Sequence, residues 1–521
     1  MGDKPTWVER FPRPAGTEIK RIGNHWYLYE RLSVYDKEKK RKRKKSGRCL
    51  GAITEAGLKP CKRQSPLRPL AEREVANLEY GATAFLLGLS GKMRERLAAL
   101  FPDCWREIFA LAMLRCKERT HFRRMDFHYH ASFIEQCAGG LALSPGRVTA
   151  LLRRVGADRG AIREYMRGDL RDGGLVMFDG HRLVSNSATM EHARVGYDGR
   201  RRFLPQVNLV YMFGVRGERK LPIFYKQYPG DVPDVSAFAD MVRDAGLRAR
   251  DVTVIADKGF GSDANEALLA DAALGYVIAI RRGCADVPGI PPSPDGYQKV
   301  FKFRERAVYC NEYPTEGGRL FLYHDMCLAN AEAVDFITRA EKANGVTEKK
   351  REAEARRRRR GKGRLSDDEL ARLAPIDVAA ALQAHRNNGT FILKTNRHEL
   401  NCAQAYCLYK MRQDIEQAFK AYDDTLDAAG SYMRDHDSLE AWLFVNHLAL
   451  QMLYAALAVV AERGLTDRYS FDDMMAFLKH VRVNRIDGEW ALTKITRHTA
   501  KLCEELGIEL AQPAKLQGSL K

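Results

Sequence analysis

Two short apolar runs in the middle of the chain, at residues 175–178 and 252–256, do most to restrict the folds open to it. Each run is followed at once by an aspartate, Asp179 or Asp257, and a glycine stands within two residues of each aspartate. Apolar runs of this length, bounded by turn residues, predict buried strands. Polar residues that follow such strands face a cleft in α/β proteins. We therefore expect both aspartates at one cleft, although a single aspartate at a strand end is often only a turn or cap residue.

The segments around these runs have the order of an α/β core. Further strands are predicted at 207–215, 221–226 and 276–280, and helices at 235–245 and about 262–273. Three strands in hairpin connection, a crossover helix and another strand predict a ribonuclease-H-like mixed sheet flanked by helices. After an interruption at 285–386, a strand at 390–394 and a helix from about 403 to 426 resume the pattern.

The helix predicted at 403–426 carries a set of residues at three-to-four spacing. These are Tyr409, Arg412, Glu416, Phe419 or Lys420, and Asp423. Residues at this spacing project from one helix face. If that face packs on the sheet edge, Glu416 joins Asp179 and Asp257. The alternative for the arginine and the glutamate is a surface salt bridge.

Three carboxylates suit a two-metal phosphoryl-transfer site. Two Mg²⁺ ions about 3.5–4 Å apart stabilise the attacking and leaving oxygens of an in-line displacement. Mg²⁺ prefers hard oxygen ligands, so a few carboxylates and a substrate phosphate are sufficient. We interpret Asp179, Asp257 and Glu416 as catalytic residues and as ligands of two Mg²⁺ ions, for which Mn²⁺ substitutes. Arg412 suits a phosphate contact or the orientation of Glu416.

The charge of the chain favours a polyanionic partner. Its 86 Lys and Arg exceed its 67 Asp and Glu, and the net charge of +19 points to nucleic acid or an anionic membrane surface. A generally basic surface is the alternative. The run at 37–45 has almost no apolar content, so we interpret it as a mobile loop or arm between two strands that contacts phosphates, or else as a solvated loop. A second run, Arg356 to Arg360, lies on a predicted long exposed helix.

A third basic segment starts with a helix-cap pattern. Ser144 and Pro145 precede an apolar-periodic stretch that ends in arginines, and it could form the second helix of a helix-turn-helix. Many ordinary bundle helices look the same. The candidate DNA-contacting residues of the three segments are Lys39, Lys40, Arg41, Lys42, Arg43, Lys44, Lys45, Arg147, Arg153, Arg154, Arg356, Arg357, Arg358, Arg359 and Arg360.

Several classes of protein are disfavoured. The 11 cysteines form no CxxC pair, which indicates a reducing compartment without a disulfide framework or zinc ribbon. The apolar stretch 441–460 contains Asn446, His447 and Gln451, so we expect a buried core helix and no membrane association. The N-terminus lacks the apolar segment of a signal peptide, so we expect a cytoplasmic protein. No segment fits GxxxxGK[ST], so ATP is not expected.

The chain is long enough for several modules. We predict a basic β-rich unit at 1–65, a helical DNA-binding region at 66–168, a catalytic core at 169–284 and 387–465, an insertion domain at 285–386, and a C-terminal helical region at 466–521.

Three motifs in this order resemble the DDE transposases of bacterial insertion sequences, in the branch with a Tyr-x2-Arg-x3-Glu-x6-Lys signature. The motifs are Phe178-Asp179-Gly180, then Ile255-Ala256-Asp257-Lys258-Gly259-Phe260, then Tyr409, Arg412 and Glu416 at the signature spacing. The strand before the last motif and the long insertion also fit. The resemblance covers roughly residues 170–460.

The chain departs from that pattern at two points. Where the signature has lysine this chain has Asp423, and we predict that Lys420 contacts the phosphate instead, or else that it pairs with Glu416. Some relatives carry a base-stacking tryptophan in the insertion. Residues 285–386 contain no tryptophan, and the aromatic residues that could stack instead are Tyr297, Phe301, Tyr309 and Tyr323.

The resemblance implies a transposase of a mobile element, an endonuclease and strand-transferase in DNA recombination. Its partners would be double-stranded DNA, as terminal inverted repeats and target, and a second copy of the chain in a homodimeric synaptic complex at the bacterial nucleoid. Tyr409, Arg412, Lys420 and Lys258 would support the site or contact DNA phosphate. The alternatives are a domesticated DNA-binding protein without catalysis and another ribonuclease-H-like nuclease without strand transfer.

Overall fold

The structure is a computed structural model. The described residues are 4–36, 41–60, 76–197, 203–216, 219–232, 234–248, 250–283, 287, 289–291, 293–362, 364–384, 387–412, 426, 430–486 and 488–520. They divide into two compact units, one containing Met1–Asn77 and Asn484–Ala491, the other Leu78–Val483 and Leu492–Lys521.

The first unit is built on a four-stranded antiparallel sheet in the order β1-β2-β3-β4. Its elements are helix α1 (Thr6–Glu9) and strands β1 (Thr17–Ile22), β2 (His25–Asp36), β3 (Arg41–Thr54) and β4 (Gly57–Pro60). Val8, Trp26, Leu28 and Ile53 form its small buried core. A core of four side chains covers only part of the sheet, so long stretches of β2 and β3 face water.

The basic run was wrongly predicted to be a loop along its whole length. Strands β2 and β3 pair out to Asp36 and Arg41, so residues 41–45 belong to β3. Lysine and arginine stems can lie along a ribbon that is wet on both faces, so the backbone pairing needs no apolar side chain there. Arg41, Lys42 and Lys44 are exposed on this ribbon. Lys39 and Lys40 lie outside the described residues.

Strand β5 (Ala76–Glu79) runs into the second unit, which continues with a group of helices. They are α2 (Gly81–Leu89), α3 (Gly91–Leu100), α4 (Trp105–Glu118), α5 (Met125–His130), α6 (Ile134–Ala138), α7 (Pro145–Ala157) and α8 (Arg159–Arg167). In α4 every residue from Ile108 to Lys117 is buried, so this helix is the centre of the group. The helix predicted after Ser144 is confirmed as α7, with Pro145 at its first position.

A mixed sheet of eleven strands forms the middle of the second unit. Its strands are β6 (Gly174–Ser185), β7 (Arg194–Tyr197), β8 (Phe203–Arg216), β9 (Arg219–Pro229), β10 (Val252–Ala256), β11 (Gly275–Ile280), β12 (Lys299–Phe303), β13 (Arg306–Thr315), β14 (Gly318–Asp325), β15 (Thr390–Thr395) and β16 (Gly430–Ser431). The order is β12-β13-β14-β15-β11-β10-β6-β8-β7, with β9 beside β8 and β16 beside β6. The architecture is therefore mixed α/β.

Helices connect and flank this sheet. They are α9 (Asp234–Ala245), α10 (Asp263–Asp271), α11 (Met326–Arg359), α12 (Asp367–Arg372), α13 (Val378–Ala384) and α14 (Cys402–Lys410). The helices predicted at 235–245 and 262–273 are confirmed as α9 and α10. The Ser262 side chain begins α10 by accepting a hydrogen bond from the Asn265 amide, as a good N-cap does.

The long interruption of the core pattern is not separate from the sheet. Its three strands β12, β13 and β14 extend the sheet beyond β15, because β14 pairs antiparallel with β15 along six residue pairs. Beyond β14 the 34-residue helix α11 is mostly exposed and ends in Arg356 to Arg359. The division of the chain into five modules stays a prediction.

The apolar stretch at 441–460 lies within helix α15 (His436–Glu462), which packs inside the unit. By length and composition α15 could cross a membrane, yet 72% of its most apolar window is buried in the protein. Its polar residues have internal partners, since the Tyr211 hydroxyl bonds His447 Nδ1 at 2.5 Å and the Tyr165 hydroxyl donates to Gln451. Burial lowers the pKa of His447 to about 3, so the ring is neutral. The prediction of a buried core helix is confirmed.

The remaining elements follow α15 along the chain. They are helix α16 (Phe471–Lys479), strands β17 (Arg482–Ile486) and β18 (Glu489–Leu492), and helices α17 (Arg497–Leu506) and α18 (Pro513–Leu516). The two strands form a small sheet with β5, in the order β18-β17-β5.

Helices α7 and α15 touch at Gly156, which gives a test of the packing. A Cβ at Gly156 would lie 1.8 Å from the Asp437 carbonyl oxygen, whereas one at Gly146 on the same helix would meet nothing within 4 Å. We expect Gly156→Ala to lower the free energy of unfolding by about 3 kcal/mol or more, because two backbones must separate. Gly146→Ala should leave it unchanged or raise it by up to about 1 kcal/mol, because alanine favours a helix more than glycine does. Denaturant unfolding of both variants measures the difference, and equal stabilities would contradict this packing.

Candidate active site

Asp179 lies within a strand and not at the end of one, which corrects the sequence prediction. Strand β6 continues to Ser185, and Asp179 pairs with Tyr211 of β8. On its other edge β6 pairs in parallel with β10 only as far as Met177 and Ile255. The apolar run ends at Phe178 because β6 loses its neighbour on that edge, while pairing with β8 continues.

Asp257 follows β10 directly, as predicted. Because Ile255 pairs with Met177, Asp257 and Asp179 each lie two residues beyond the last pair of the two strands. Neighbouring strands are about 4.8 Å apart. The side chains of Asp179 and Asp257 are 16% and 31% exposed, so both carboxylates are accessible from solvent. The two strands thus bring the aspartates to one place.

Arg412 joins the two aspartates. Its Nη1 lies 3.5 Å from Asp179 Oδ1, and its Nη2 lies 3.8 Å from Asp257 Oδ2. The arginine is only 12% exposed, so its charge is poorly screened by water. A single guanidinium therefore offsets the repulsion between two carboxylates. The sequence indicated Arg412 as a phosphate or glutamate contact, and its position between the aspartates was not foreseen.

Tyr409 holds the second aspartate from another side. Its hydroxyl donates a hydrogen bond of 3.0 Å to Asp257 Oδ1, which also accepts one of 2.7 Å from the Lys258 amide. Burial, followed by the negative charge of Asp257, raises the pKa of Tyr409 well above its usual value. The phenol therefore stays protonated and remains a donor. Two fixed donors on one oxygen orient the Asp257 carboxylate.

Glu416, Lys420 and Asp423 lie outside the described residues. Helix α14 ends at Lys410, and Met411 and Arg412 form a turn, so the predicted helix at 403–426 is described only in its first part. The Asn401 and Gln404 side chains form a capping box at its start. The third carboxylate and the role of Lys420 stay predictions.

An open cleft of about 690 Å³ extends from Asp257. It is lined by Asp257, Lys258, Gly259, Ala279, Ile280, Arg281, Arg282, Leu328, Glu332, Thr390, Phe391, Tyr409, Lys410 and Arg412. Five of these side chains are cationic and two are acidic. The surface beside the aspartates therefore suits a polyanion.

Three of the cleft cations were not singled out from the sequence. Arg281 and Arg282 directly follow strand β11, so the rule used for the aspartates, polar residues after a buried strand, would have found them. Arg282 is held by Glu332 at 2.8 Å. The Lys410 ammonium lies 5.1 Å from the Phe391 ring centre and 5.2 Å from that of Tyr406. This aromatic support positions a cation at the cleft.

The predicted DNA-contacting arginines have varied surroundings. Arg147 and Arg154 are exposed on α7, while Arg153 pairs with Asp435 at 3.1 Å although it is 61% exposed. Arg356 pairs with Glu352 at 3.2 Å, Arg357 and Arg358 are near Glu354, and Arg359 and Arg360 are exposed.

One predicted base-stacking residue is ruled out by its position. Tyr323 is fully buried, its ring stacks on Phe391, and its hydroxyl donates to the Cys402 carbonyl. It is a core residue of the extended sheet because Phe301, Phe391 and Tyr406 pack against its ring. Tyr297, Phe301 and Tyr309 keep partial exposure.

Among the described residues, no group of three or more His, Cys, Asp or Glu side chains could hold a metal ion. Asp179 and Asp257 contribute two carboxylates, and Glu416 falls in the part not described.

Comparison with known protein families assigns the chain to one of them. The family model described as the transposase DDE domain matches residues 172–452, which is more than half of the chain. The match includes both aspartates, Arg412 and the cleft. The chain therefore belongs to the DDE transposase family. Members of this family act on DNA and generally use divalent metal ions. No curated protein sequence matches the chain significantly.

Proposed function

We propose that this protein is an active transposase that binds the ends of an insertion sequence and catalyses DNA cleavage and strand transfer. The observation that supports it most is the meeting of Asp179 and Asp257 at Arg412, beside a cleft with five cations. A domesticated protein without catalysis would have no need to keep two carboxylates paired in this way.

The strand order supports a ribonuclease-H-like catalytic core. Strands β6, β8, β9, β10 and β11 lie side by side in the order β9-β8-β6-β10-β11. The first three strands are antiparallel neighbours, with the short strand β7 in the connection from β6 to β8, and β10 then returns parallel to β6. This matches the connection expected from the sequence. We propose that 169–284 and 387–465 form this core and that 1–65, 66–168 and 466–521 are other modules. The insertion 285–386 is then a further module whose strands β12 to β14 extend the sheet of the core.

The donors fit magnesium. Asp179 and Asp257 present hard carboxylate oxygens at partly exposed positions, which are the ligands that Mg²⁺ prefers. We propose Glu416 as the third ligand. Two bound ions would stabilise the attacking and leaving oxygens of phosphoryl transfer. Mn²⁺ would substitute for Mg²⁺.

The other residues at the site hold the two carboxylates in place or are placed to bind DNA. Tyr409 fixes the Asp257 carboxylate, and Arg412 keeps the two aspartates together. Lys258 is exposed next to Asp257 and Lys410 is held on its aromatic support, so both are placed to bind DNA phosphates. We propose that Lys410 supplies part of the phosphate contact that the signature lysine gives in relatives, with Lys420 as the other candidate.

We propose that the basic segments provide sequence-independent affinity for double-stranded DNA. The β2–β3 ribbon, the end of α11 and the exposed face of α7 each present several cations. Inverted repeats and target DNA would be bound by a homodimer in the bacterial cytoplasm at the nucleoid, without ATP or a membrane.

Neutralising Arg41, Lys42 and Lys44 on the ribbon to glutamine should weaken binding to all duplexes. The slope of log K against log salt should fall by about 0.9 for each DNA phosphate that the variant no longer neutralises. A salt titration of binding measures it. The matched control replaces the exposed Lys494, Lys501 and Lys515 in the same way. If both triple variants had the wild-type slope, the ribbon would not contact phosphates.

Cleavage of the element's own ends tests the proposed function. Purified protein is mixed with Mg²⁺ and a labelled duplex that carries the inverted repeat flanking the gene, or a scrambled repeat. We expect cuts at the repeat boundary and joining of the new 3′ ends to a target plasmid. Specific binding without cuts would instead identify a domesticated DNA-binding protein. Cuts without joining would identify a nuclease.

A further inference from the structure

Helix α11 begins at the candidate active site. Its N-cap, Asp325, is buried, and Leu328 and Glu332 in its first two turns line the cleft. Glu332 also accepts hydrogen bonds of 2.8 Å from the Arg282 guanidinium and from the Gly389 amide. The start of the helix is therefore fixed to the sheet that carries the two aspartates.

The middle of α11 is tied to the segment that returns along it. The Asn344 side chain donates to the Ile376 carbonyl at 2.9 Å and accepts from the Ile376 amide at 2.7 Å. Helix α13, which follows Ile376, also contacts α11. Residues 326–384 thus fold back on themselves as a helical hairpin, and we call them the helical arm.

The turn at the far end of α11 is closed around a carboxylate. Glu354 is 1% exposed, and its Oε1 accepts hydrogen bonds from the Arg364 and Leu365 amides at 2.6 and 3.0 Å. The Arg358 side chain donates to the Leu365 carbonyl at 2.9 Å. Gly361 has a φ of +66°, the left-handed conformation that glycine adopts just past a helix end. The helix therefore ends in an ordered turn.

This turn is strongly cationic. Residues 352–364, which we call the tip of the arm, contain seven cations and two acids, Glu352 and Glu354. The seven cations are exposed, and they are Arg356, Arg357, Arg358, Arg359, Arg360, Lys362 and Arg364. Like charges held this close repel one another, so a polyanion that neutralises them is bound favourably. Arginine is the side chain best suited to phosphate. The tip therefore fits a nucleic-acid backbone.

The arm also sets the distance between these cations and the cleft. Arg358 lies 26 residues beyond Glu332 on one continuous helix. At 1.5 Å per residue this separation is about 39 Å. Phosphates along one strand of duplex DNA are about 3.4 Å apart, so the same length corresponds to about 12 base pairs. This is slightly more than one turn of the duplex, which takes about 10.5 base pairs.

We propose that the helical arm is a spacer that places its cationic tip on the DNA backbone about 12 base pairs from the cut. The inference rests on the proposed function, which locates the cut at the aspartates, and it adds a position to the DNA contact. The element end and the flanking DNA have the same backbone, so either can supply the phosphates. Because charge and not base identity is recognised, the contact should not depend on sequence.

Duplexes with locally uncharged backbones test the position. Each labelled duplex carries the element end with its flank, and three consecutive phosphates on each strand are replaced by methylphosphonates. This window is centred about 12 or about 22 base pairs from the cut, on the element side or on the flank side. The two positions differ by about one turn and so lie on the same face of the duplex.

Anisotropy measures binding by the full chain without metal, so that no DNA is cut. For the wild type, the window at 12 base pairs should lower the affinity about tenfold on one side of the cut, because phosphate contacts are lost. The window at 22 base pairs on that side should have a much smaller effect. The side on which the window acts identifies the source of the phosphates.

A triple glutamine variant assigns the loss to the tip. It replaces Arg359, Arg360 and Lys362, which are exposed. This variant should bind the fully charged duplex about tenfold more weakly than the wild type and lose nothing further with the window at 12 base pairs. The matched control carries glutamine at three exposed lysines elsewhere in the unit, Lys494, Lys501 and Lys515. It should respond to the window as the wild type does.

The outcomes separate the spacer from the proposed function. Equal effects of the windows at 12 and 22 base pairs overturn the spacer, since distance from the cut would not matter. A loss at 12 base pairs that persists in the triple tip variant also overturns it, because another segment would then contact those phosphates. Neither result affects cleavage at the aspartates. Failure of the wild type to bind any of the duplexes would contradict the proposed function as well.

Discussion

Replacing Asp179 or Asp257 by asparagine should lower the rate of metal-dependent DNA cleavage by at least about 1,000-fold. Asparagine keeps the size of the side chain but loses the negative charge that binds a divalent cation. Single-turnover cleavage of end-containing DNA in Mg²⁺ measures the rate. Binding to the same DNA should be nearly unchanged, because the basic segments supply most of the affinity.

Asp251→Asn is the matched control for these variants. Asp251 immediately precedes strand β10, as Asp257 immediately follows it, and its side chain is 72% exposed. Its cleavage rate should equal that of the wild type. A second readout is thermal unfolding, in which Mg²⁺ or Mn²⁺ should stabilise the wild type and Asp251→Asn but not Asp257→Asn. Near-normal cleavage by either catalytic-site variant would exclude that aspartate as a ligand.

Arg412→Ala should have the second large effect, and the size of its effect on stability should depend on whether a divalent metal is present. Without metal the substitution leaves two adjacent carboxylates with no guanidinium between them, so the protein should lose about 1–3 kcal/mol of stability. This is below the value for a fully buried pair because the aspartates are partly exposed. Cleavage should fall by about 100-fold or more, since the carboxylates lose their alignment.

Metal titration separates a positioning role from a merely structural one. Divalent cations can replace the missing guanidinium charge, so they should raise the melting temperature of Arg412→Ala more than that of the wild type. Arg412→Lys keeps the charge, but one ammonium cannot span both aspartates as the planar guanidinium does. It should recover stability more than activity. A metal response no larger than that of the wild type would refute the bridging role.

The local part of the site could be predicted from the sequence. Residues 252–256 are Val-Thr-Val-Ile-Ala, and β-branched residues in a short apolar run leave little choice but a buried strand that ends at Asp257. Asp179 was recognised by the same rule, yet its strand continues to Ser185. The rule locates the point where an apolar run ends, not the point where a strand ends. Along β6 the pairing with β10 ends at Met177, whereas the pairing with β8 continues.

Contacts between distant segments could not be predicted in this way. Arg412 is 155 residues from Asp257 along the chain, and no periodicity indicates which carboxylate an arginine will meet. The pairing of β14 with β15 has the same character, since the two strands are joined by a long helical connection and no short turn signals that they are neighbours.

The extension of the sheet by β12, β13 and β14 limits how this protein can be recombined with its relatives. A chimera that exchanges residues 285–386 as a cassette would strip β14 from β15 and leave an unpaired, largely apolar strand edge, which is a template for aggregation. Asp325 is buried, accepts a hydrogen bond from Tyr406 and caps α11. The first turns of α11 also belong to the site, because Leu328 and Glu332 line the cleft and Glu332 pairs with Arg282. Grafts should therefore keep residues 299–332 with the catalytic core and vary only the rest of α11 and the helices beyond it.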